Sequence, residues 1–330
     1  MIYLKEILSV LPPAIASYIH QYSNQFNTLE EIRFRINKSP ELIFSHHSLF
    51  IEKYVFTDAD AKELLGKISQ HSVYRIEEEL RSGYITIPGG HRVGISGKVS
   101  VVGGQVQAIT HISSFNIRVA KEHKGVAQSV LPYIRSESIE NTLIIGPPKS
   151  GKTTLLRDLI RSISDGLYGV EAKRVSLIDE RSEIAASFRG VPQHDIGKRT
   201  DVMADCPKAE GMMMMIRSMS PEVLAVDEIG SDKDVKSLLE ALHAGVQLLC
   251  SVHGSSVNEI KKRPSLQQLF HEQTFTRYVV LKRGKQAGTI EAVYDQAFQP
   301  IKKEIRSFND EVDRRNSHPV HVHVGRSRYR

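Results

Sequence analysis

Gly146, Gly151, Lys152 and Thr153 stand in the spacing G-x-x-x-x-G-K-T, within the stretch NTLIIGPPKSGKTTLLRDLI at residues 141–160. That spacing suits a polyphosphate. Phosphate oxygens repel one another and need several donors at short range. The two glycines lack a Cβ, so the backbone can curl until its N–H groups point inward. A helix starting at Lys152 would aim its free N–H groups and positive dipole end at the same point. Gly146, Pro147, Pro148, Lys149, Ser150, Gly151, Lys152, Thr153 and Thr154 are therefore the candidate nucleotide-binding residues. Lys152 would reach the β- and γ-phosphates, and the Thr153 hydroxyl would take a Mg²⁺ position.

Carboxylates follow at the ends of two apolar runs. In PEVLAVDEIG, residues 221–230, a buried strand over 223–226 ends in Asp227 and Glu228. Asp227 would bind Mg²⁺, partly through water, and Glu228 would polarise the attacking water as general base. In RVSLID, residues 174–179, a second strand leads to Asp179, Glu180 and Glu183. Ligands of open α/β sheets lie beyond the carboxyl ends of strands, so Glu180 and its neighbours would orient water or hold the metal's hydration shell. A solvated acidic turn is the plainer alternative. A third apolar strand, 247–252, is followed by His253, which would contact the γ-phosphate or else be an ordinary loop residue. Lys152, Glu180, Glu228 and His253 are the candidate catalytic groups, with Thr153 and Asp227 the candidate metal ligands.

The elements that must position these groups read as a strand over 142–145, a turn and a helix, with further strands behind them. Residues 205–219 read as a helix whose Met212–Met215 run is better suited to filling a core than to lining a groove. The preceding residues 193–204 read as a polar loop. Residues 276–282 and 288–294 read as a closing hairpin. Arg181, Arg189, Arg199 and Arg217 are candidates for an arginine supplied to a neighbouring subunit's nucleotide.

The first 125 residues show no catalytic constellation. Two short helices (4–11 and 13–22) precede a strand over 28–37 that alternates Ile32, Phe34 and Ile36 with charged residues. Short strands at 42–44 and 49–51 and a helix at 58–69, capped by Thr57 or Asp58, come next. Residues 83–120 are rich in glycine and β-branched residues, which predicts a meander turning at Gly89-Gly90 and Gly103-Gly104. His91, Arg92, His111 and Arg118 fall near strand ends as surface or structural residues. Arg92 or Arg118 would alternatively face a nucleotide from outside its pocket.

The 330 residues suffice for two domains, and 40% hydrophobic with 25% charged residues describes a soluble globular chain. No run of eighteen apolar residues is present, and the amphipathic start is broken by Pro12 and Pro13 with no basic leader, so neither a membrane span nor a signal peptide is expected. Cys206 and Cys250 have no metal-ligand spacing and read as free thiols of a reducing compartment. The net charge of +6 is compatible with an anionic membrane or nucleic acid and chooses neither. Beyond residue 300 the chain is basic and polar. His321 and His323 there are conceivable metal ligands on a strand, but a flexible cationic tail fits the composition better.

The order of P-loop, acidic strand end, Asp-Glu strand and histidine strand resembles the additional-strand catalytic-glutamate class of P-loop ATPases, and within it the traffic ATPases of type II and type IV secretion. Asp179, Glu180 and Glu183 match part of that group's acidic box, with Arg181 where its proline stands. Ser251, Val252 and His253 match its histidine box. LIDERSEIA, TDVMADCPKAEGMMMMIRSMSPEVLAVDEIG, GGHRVGISGKVS and FNIRVAKE resemble the stage III sporulation protein AA family of endospore-forming bacteria, over residues 4 to 295. The resemblance implies an α/β chain in three parts. A smaller α+β N-terminal domain (1–125) would precede a RecA-like P-loop ATPase domain (126–300) and a basic tail (301–330). It further implies ATP and Mg²⁺, a homo-oligomer, in the related motors a hexamer, and membrane-protein partners in a sporulation channel. The chain would sit on the cytoplasmic, mother-cell face, peripheral to the membrane. A nucleic-acid-stimulated RecA-like ATPase is the alternative, weakened by the absence of tryptophan and of aromatics interleaved with basic residues.

Overall fold

Alternating apolar residues and glycine turns build the first of two sheets. A computed structural model describes residues 3–69, 84–136, 138–284 and 286–301. Helices α1 (Tyr3–Val10) and α2 (Pro13–His20) are separated by a break at Pro12, and Pro13 opens the second, where its fixed φ suits a first turn. Strand β1 (Leu29–Arg35) buries Leu29, Ile32 and Phe34 and leaves its charges outward. β2 (Glu41–Phe44) and β3 (Ser48–Phe50) pair beside it. Helix α3 (Asp58–Ile68) starts at Thr57, whose hydroxyl accepts from the Asp60 N–H while the Asp60 carboxylate accepts from the Thr57 N–H.

The expected meander is three antiparallel strands, β4 (Tyr84–Ile87), β5 (His91–Val102) and β6 (Gln105–Arg118). Its turns carry positive φ at Gly89, Gly90, Gly103 and Gly104. The sheet order is β3-β2-β1-β6-β5-β4. One face packs on the helices around Phe34, Phe56 and Phe115, whose rings lie 5.0 and 6.1 Å apart.

The second sheet follows a short helix, α4 (Leu131–Ile134). Its elements run β7 (Thr142–Gly146), α5 (Lys152–Asp165), β8 (Val175–Asp179), β9 (Thr200–Ala204), α6 (Lys208–Met219) and β10 (Val223–Val226). They continue as α7 (Asp232–His243), β11 (Gln247–His253), α8 (Val257–Lys261), α9 (Gln267–His271), β12 (Arg277–Leu281) and β13 (Ile290–Asp295). The order is β13-β12-β7-β11-β10-β8-β9, parallel except for the β12–β13 hairpin. Every residue of β7, β8 and β10 is buried, as expected of parallel strands covered on both faces. Successive side chains divide between two layers. Ile144, Leu177, Ala225 and Leu249 pack with Leu155, Leu156 and Leu159 of α5. Leu143, Ile145, Ile178 and Leu224 pack with Met212 and Met215 of α6 and Leu238 of α7. Met212 and Met215 thus fill core, whereas Met214 of the same run is 53% exposed.

Two expectations are corrected here. Residues 193–204 are not a loop throughout: 200–204 form β9, the edge strand, parallel to β8. Its side chains are mostly half-buried, so no clean apolar alternation marks it, and it is held by the backbone ladder on one side only. Helix α6 begins at Lys208 instead of Asp205, because Asp205 adopts φ 54° and Pro207 supplies the extended residue before the first turn. His321 and His323 of the expected tail lie outside the described residues.

Candidate nucleotide site

The P-loop forms between β7 and α5 as a tight cup. Ser150 N–H donates to the Pro147 carbonyl at 3.3 Å, and the Lys152 ammonium donates to the same carbonyl at 3.3 Å. Lys149 and Gly151 have φ of 63° and 89°. A Cβ on Gly151 would collide with the Gly288 backbone and come within 2.8 Å of Ala287 Cα, so glycine is required where residues 286–289 close on the loop. Gly288 N–H donates to the Ser150 carbonyl at 2.9 Å, and the Arg283 guanidinium donates to the Pro148 carbonyl at 3.1 Å. Lys152, Thr153 and Thr154 form the first turn of α5, where backbone N–H groups have no carbonyl within the helix. Among the described residues the buried Ser150 Oγ has no hydrogen-bond partner, a donor left over inside the cup.

Behind the cup the carboxyl ends of β7, β11 and β10 lie side by side, and the Gly254 N–H donates to the Gly146 carbonyl at 3.2 Å. Asp227 Oδ2 accepts from the Thr153 hydroxyl at 3.3 Å, and Asp227 Oδ1 accepts from the Ser251 hydroxyl. The same Ser251 oxygen accepts the Glu228 N–H at 3.0 Å. Ser251 therefore fixes both acids, a role sequence reasoning did not assign. Its signals were the histidine-box match and its place as a lone polar residue in the apolar run LLCSV, neither of which pointed to Asp227. Glu228 holds φ 49°, uncommon for a non-glycine residue, with its side chain turned outward. Burial raises the Asp227 carboxyl above its ordinary value, the Ser251 hydrogen bond opposing and the Glu228 charge adding to the rise. Burial also lowers the Lys152 ammonium, against the pull of Glu228 and Asp227.

The acidic segment after β8 divides its labour. Asp179 caps its own turn: Oδ1 accepts the Glu183 N–H at 2.9 Å, and Oδ2 accepts those of Ile184 and Ala185 at 3.1 and 2.8 Å. Glu180 pairs with Lys208 at the start of α6, at 2.6 Å. Arg181 Nη1 stands 3.0 Å from Glu228 Oε2. His253 is exposed at the end of β11, in register with Gly146.

The four arginines considered for a neighbouring subunit separate. Arg181 meets Glu228 of its own chain, Arg189 lies over the Phe188 ring at 5.1 Å, and Arg199 donates to the Ala172 carbonyl at 3.3 Å. Arg217 falls in the last turn of α6. Of the N-terminal pair, Arg92 reaches the second sheet and donates to the Arg181 carbonyl at 2.5 Å, while Arg118 is paired with Arg92 in register on β6 and is exposed.

Thr153 and Asp227 supply a hydroxyl and a carboxylate, hard oxygen donors of the kind Mg²⁺ takes, and the cup supplies amides and an ammonium for phosphate. The residues present therefore fit a magnesium nucleotide. Solved structures with this fold are the DotB ATPase of Legionella pneumophila and the pilus retraction motor PilT with bound ADP. The first is 16% identical with a TM-score of 0.54, covering 82% of this chain and 76% of that one. The second is 14% identical with a TM-score of 0.56, covering 79% and 76%. They share with this chain an α/β, RecA-like fold. Stage III sporulation protein AA of Bacillus subtilis (strain 168) is 49% identical over 294 residues, which are 89% of this chain and 95% of that protein. Residues 3–300 match the family described as sporulation stage III, protein AA, and the chain belongs to that family.

Proposed function

We propose that the chain is a Mg²⁺-dependent ATPase whose turnover drives a secretion-like complex of the cell envelope during endospore formation. The observation that carries this reading is the convergence of Thr153, Asp227 and Ser251 behind the P-loop, at the carboxyl ends of adjacent strands. Residues 146–154 would bind the triphosphate, and Lys152 would leave the Pro147 carbonyl for the β- and γ-phosphate oxygens. Thr153 and Asp227 would hold Mg²⁺, which supplies charge neutralisation at the phosphates. Glu228 would orient the attacking water and take its proton as the bond from the γ-phosphorus to the bridging oxygen breaks, giving ADP and phosphate. His253, beside Gly146, would contact the γ-phosphate, and Glu180 would support the hydration shell. That the pilus motor of like fold holds ADP supports the nucleotide assignment.

The two sheets support a division of labour. Residues 1–125 would form a docking domain and residues 126–300 the ATPase domain. The assembly would be a homo-oligomer, a hexamer as in the motors the sequence resembles, docked on membrane proteins of a sporulation channel from the cytoplasmic, mother-cell side. Among the described residues no helix is long and apolar enough to cross a membrane. The test is phosphate release by the purified chain with Mg²⁺ and with a chelator. Hydrolysis that stops in the chelator is expected; an unchanged rate would overturn the metal assignment.

A further inference from the structure

The ion pair between Arg181 and Glu228 connects the candidate general base to the N-terminal sheet. The connecting segment, 179–185, is gripped from several sides. Asp179 caps it from within, and the Arg157 guanidinium donates to the Ile184 and Glu183 carbonyls at 2.6 and 2.7 Å. The Ser182 hydroxyl donates to Asp205 at 3.1 Å, and Lys208 holds Glu180. A further grip comes from Arg92 on β5, in the other sheet. Its guanidinium donates to the Arg181 carbonyl at 2.5 Å and the Ser182 carbonyl at 3.3 Å, and lies 3.4 Å from the Glu183 carboxylate. Tyr84 of β4 holds that guanidinium over its ring at 4.9 Å. Arg92 therefore grips the backbone of the very residue whose side chain meets Glu228.

We infer that Arg181 is a latch on Glu228, set by Arg92, so that docking of the N-terminal sheet restrains hydrolysis and its movement releases it. The inference rests on the proposed ATPase reading and specifies how that site is regulated. While Glu228 Oε2 accepts from the guanidinium, that oxygen is occupied and the side chain is held towards Arg181. A general base needs a free acceptor site aimed at the water it activates. Glu228 is presented in this pose by its φ of 49° and by the Ser251 oxygen on its N–H, so Arg181 meets a fixed target. The pair is partly exposed, with Arg181 and Glu228 side chains at 67% and 40%, which makes it weak enough to break during a domain motion.

The test compares ATP turnover by the full chain and by Arg181→Ala, Arg181→Lys, Arg92→Ala and the Arg92→Ala/Arg181→Ala double variant, with Lys152→Ala as the blank. Arg181→Ala should raise kcat about two- to fivefold with little change in KM, the scale of losing one exposed ion pair. Arg181→Lys should keep the low rate, because an ammonium still pairs with Glu228. Arg92→Ala should raise kcat as well, and the double variant should not exceed Arg181→Ala alone. A fall in kcat for Arg181→Ala, or effects that multiply in the double variant, would overturn the latch. Amide hydrogen exchange supplies a readout that needs no turnover. In both single variants exchange over residues 226–230 should quicken; unchanged exchange would overturn the latch even in a chain that hydrolysed nothing. Absence of any Lys152-dependent turnover, by contrast, would overturn the ATPase reading itself.

Discussion

Thr153 Oγ1 donates to Asp227 Oδ2 across 3.3 Å, joining the first turn of α5 to the end of β10. Neither residue is near the other in sequence; the parallel ladder from β7 through β11 to β10 brings them together. If they share a metal ion, Asp227→Asn should lower turnover at saturating ATP by about two orders of magnitude or more, the scale of losing one preorganised charge at a phosphoryl centre. A Mg²⁺ titration checks this. The variant should need more Mg²⁺ for half-maximal rate, and an unchanged requirement would place the metal elsewhere.

Glu228 should separate binding from chemistry. Glu228→Gln keeps the shape and the backbone bond to Ser251 but removes the base. Turnover should fall about 10²- to 10⁴-fold while a fluorescent ATP analogue still binds. Loss of binding would instead make Glu228 a structural residue of the strand end.

Gly151→Ala tests the closure of the P-loop by residues 286–289. The left-handed conformation costs a side chain about 1–2 kcal/mol before the clash with Ala287 and Gly288 is counted. A lower melting temperature together with loss of ATP binding is expected, measured by thermal unfolding with and without nucleotide. A variant as stable as the wild type and still protected by ATP would show that this segment does not press on the loop.

His194 should make the joint between the halves acid-sensitive. Its Nδ1 lies 3.5 Å from the Glu122 carboxylate, and Glu122 in turn accepts the Asp195 N–H at 2.6 Å. Burial, aided by the Arg157 charge, pushes the imidazole down to about 4, so the folded state holds it neutral. Below the unfolded value near 6.5 the unfolded chain binds a proton that the fold does not. Stability from this group is thus complete above that value and lost as pH falls towards 4, by on the order of 3 kcal/mol at most. Denaturant unfolding of His194→Gln should show a shallower fall between those pH values; an identical slope would remove His194 from the account.

The candidate site of this chain is legible in its sequence where local geometry dictates it. Phosphate needs glycine turns and a lysine at fixed spacing, and a metal strand needs an apolar run ending in acids, so residues 146–154 and Asp227-Glu228 stand out by spacing alone. What depends on packing between distant segments is not legible. Ser251 reads as part of a histidine-box match, and its hold on Asp227 and Glu228 shows only once β11 places it against them. Arg181 reads as a free arginine for a neighbour until the turn capped by Asp179 points it at Glu228. Strand β9 is hidden because an edge strand with half-buried side chains lacks the alternation that reveals β1. The N-terminal meander is the reverse case, since its glycine pairs mark its turns directly.

Phosphate release is the measurement that decides whether this P-loop hydrolyses ATP. The purified full chain would be assayed with Mg²⁺-ATP, with and without single-stranded DNA, beside Lys152→Ala. A low basal rate is expected, indifferent to DNA and abolished in the variant. Turnover that persists in Lys152→Ala would contradict the site, and a large salt-sensitive stimulation by DNA would contradict the envelope-motor reading in favour of a nucleic-acid motor.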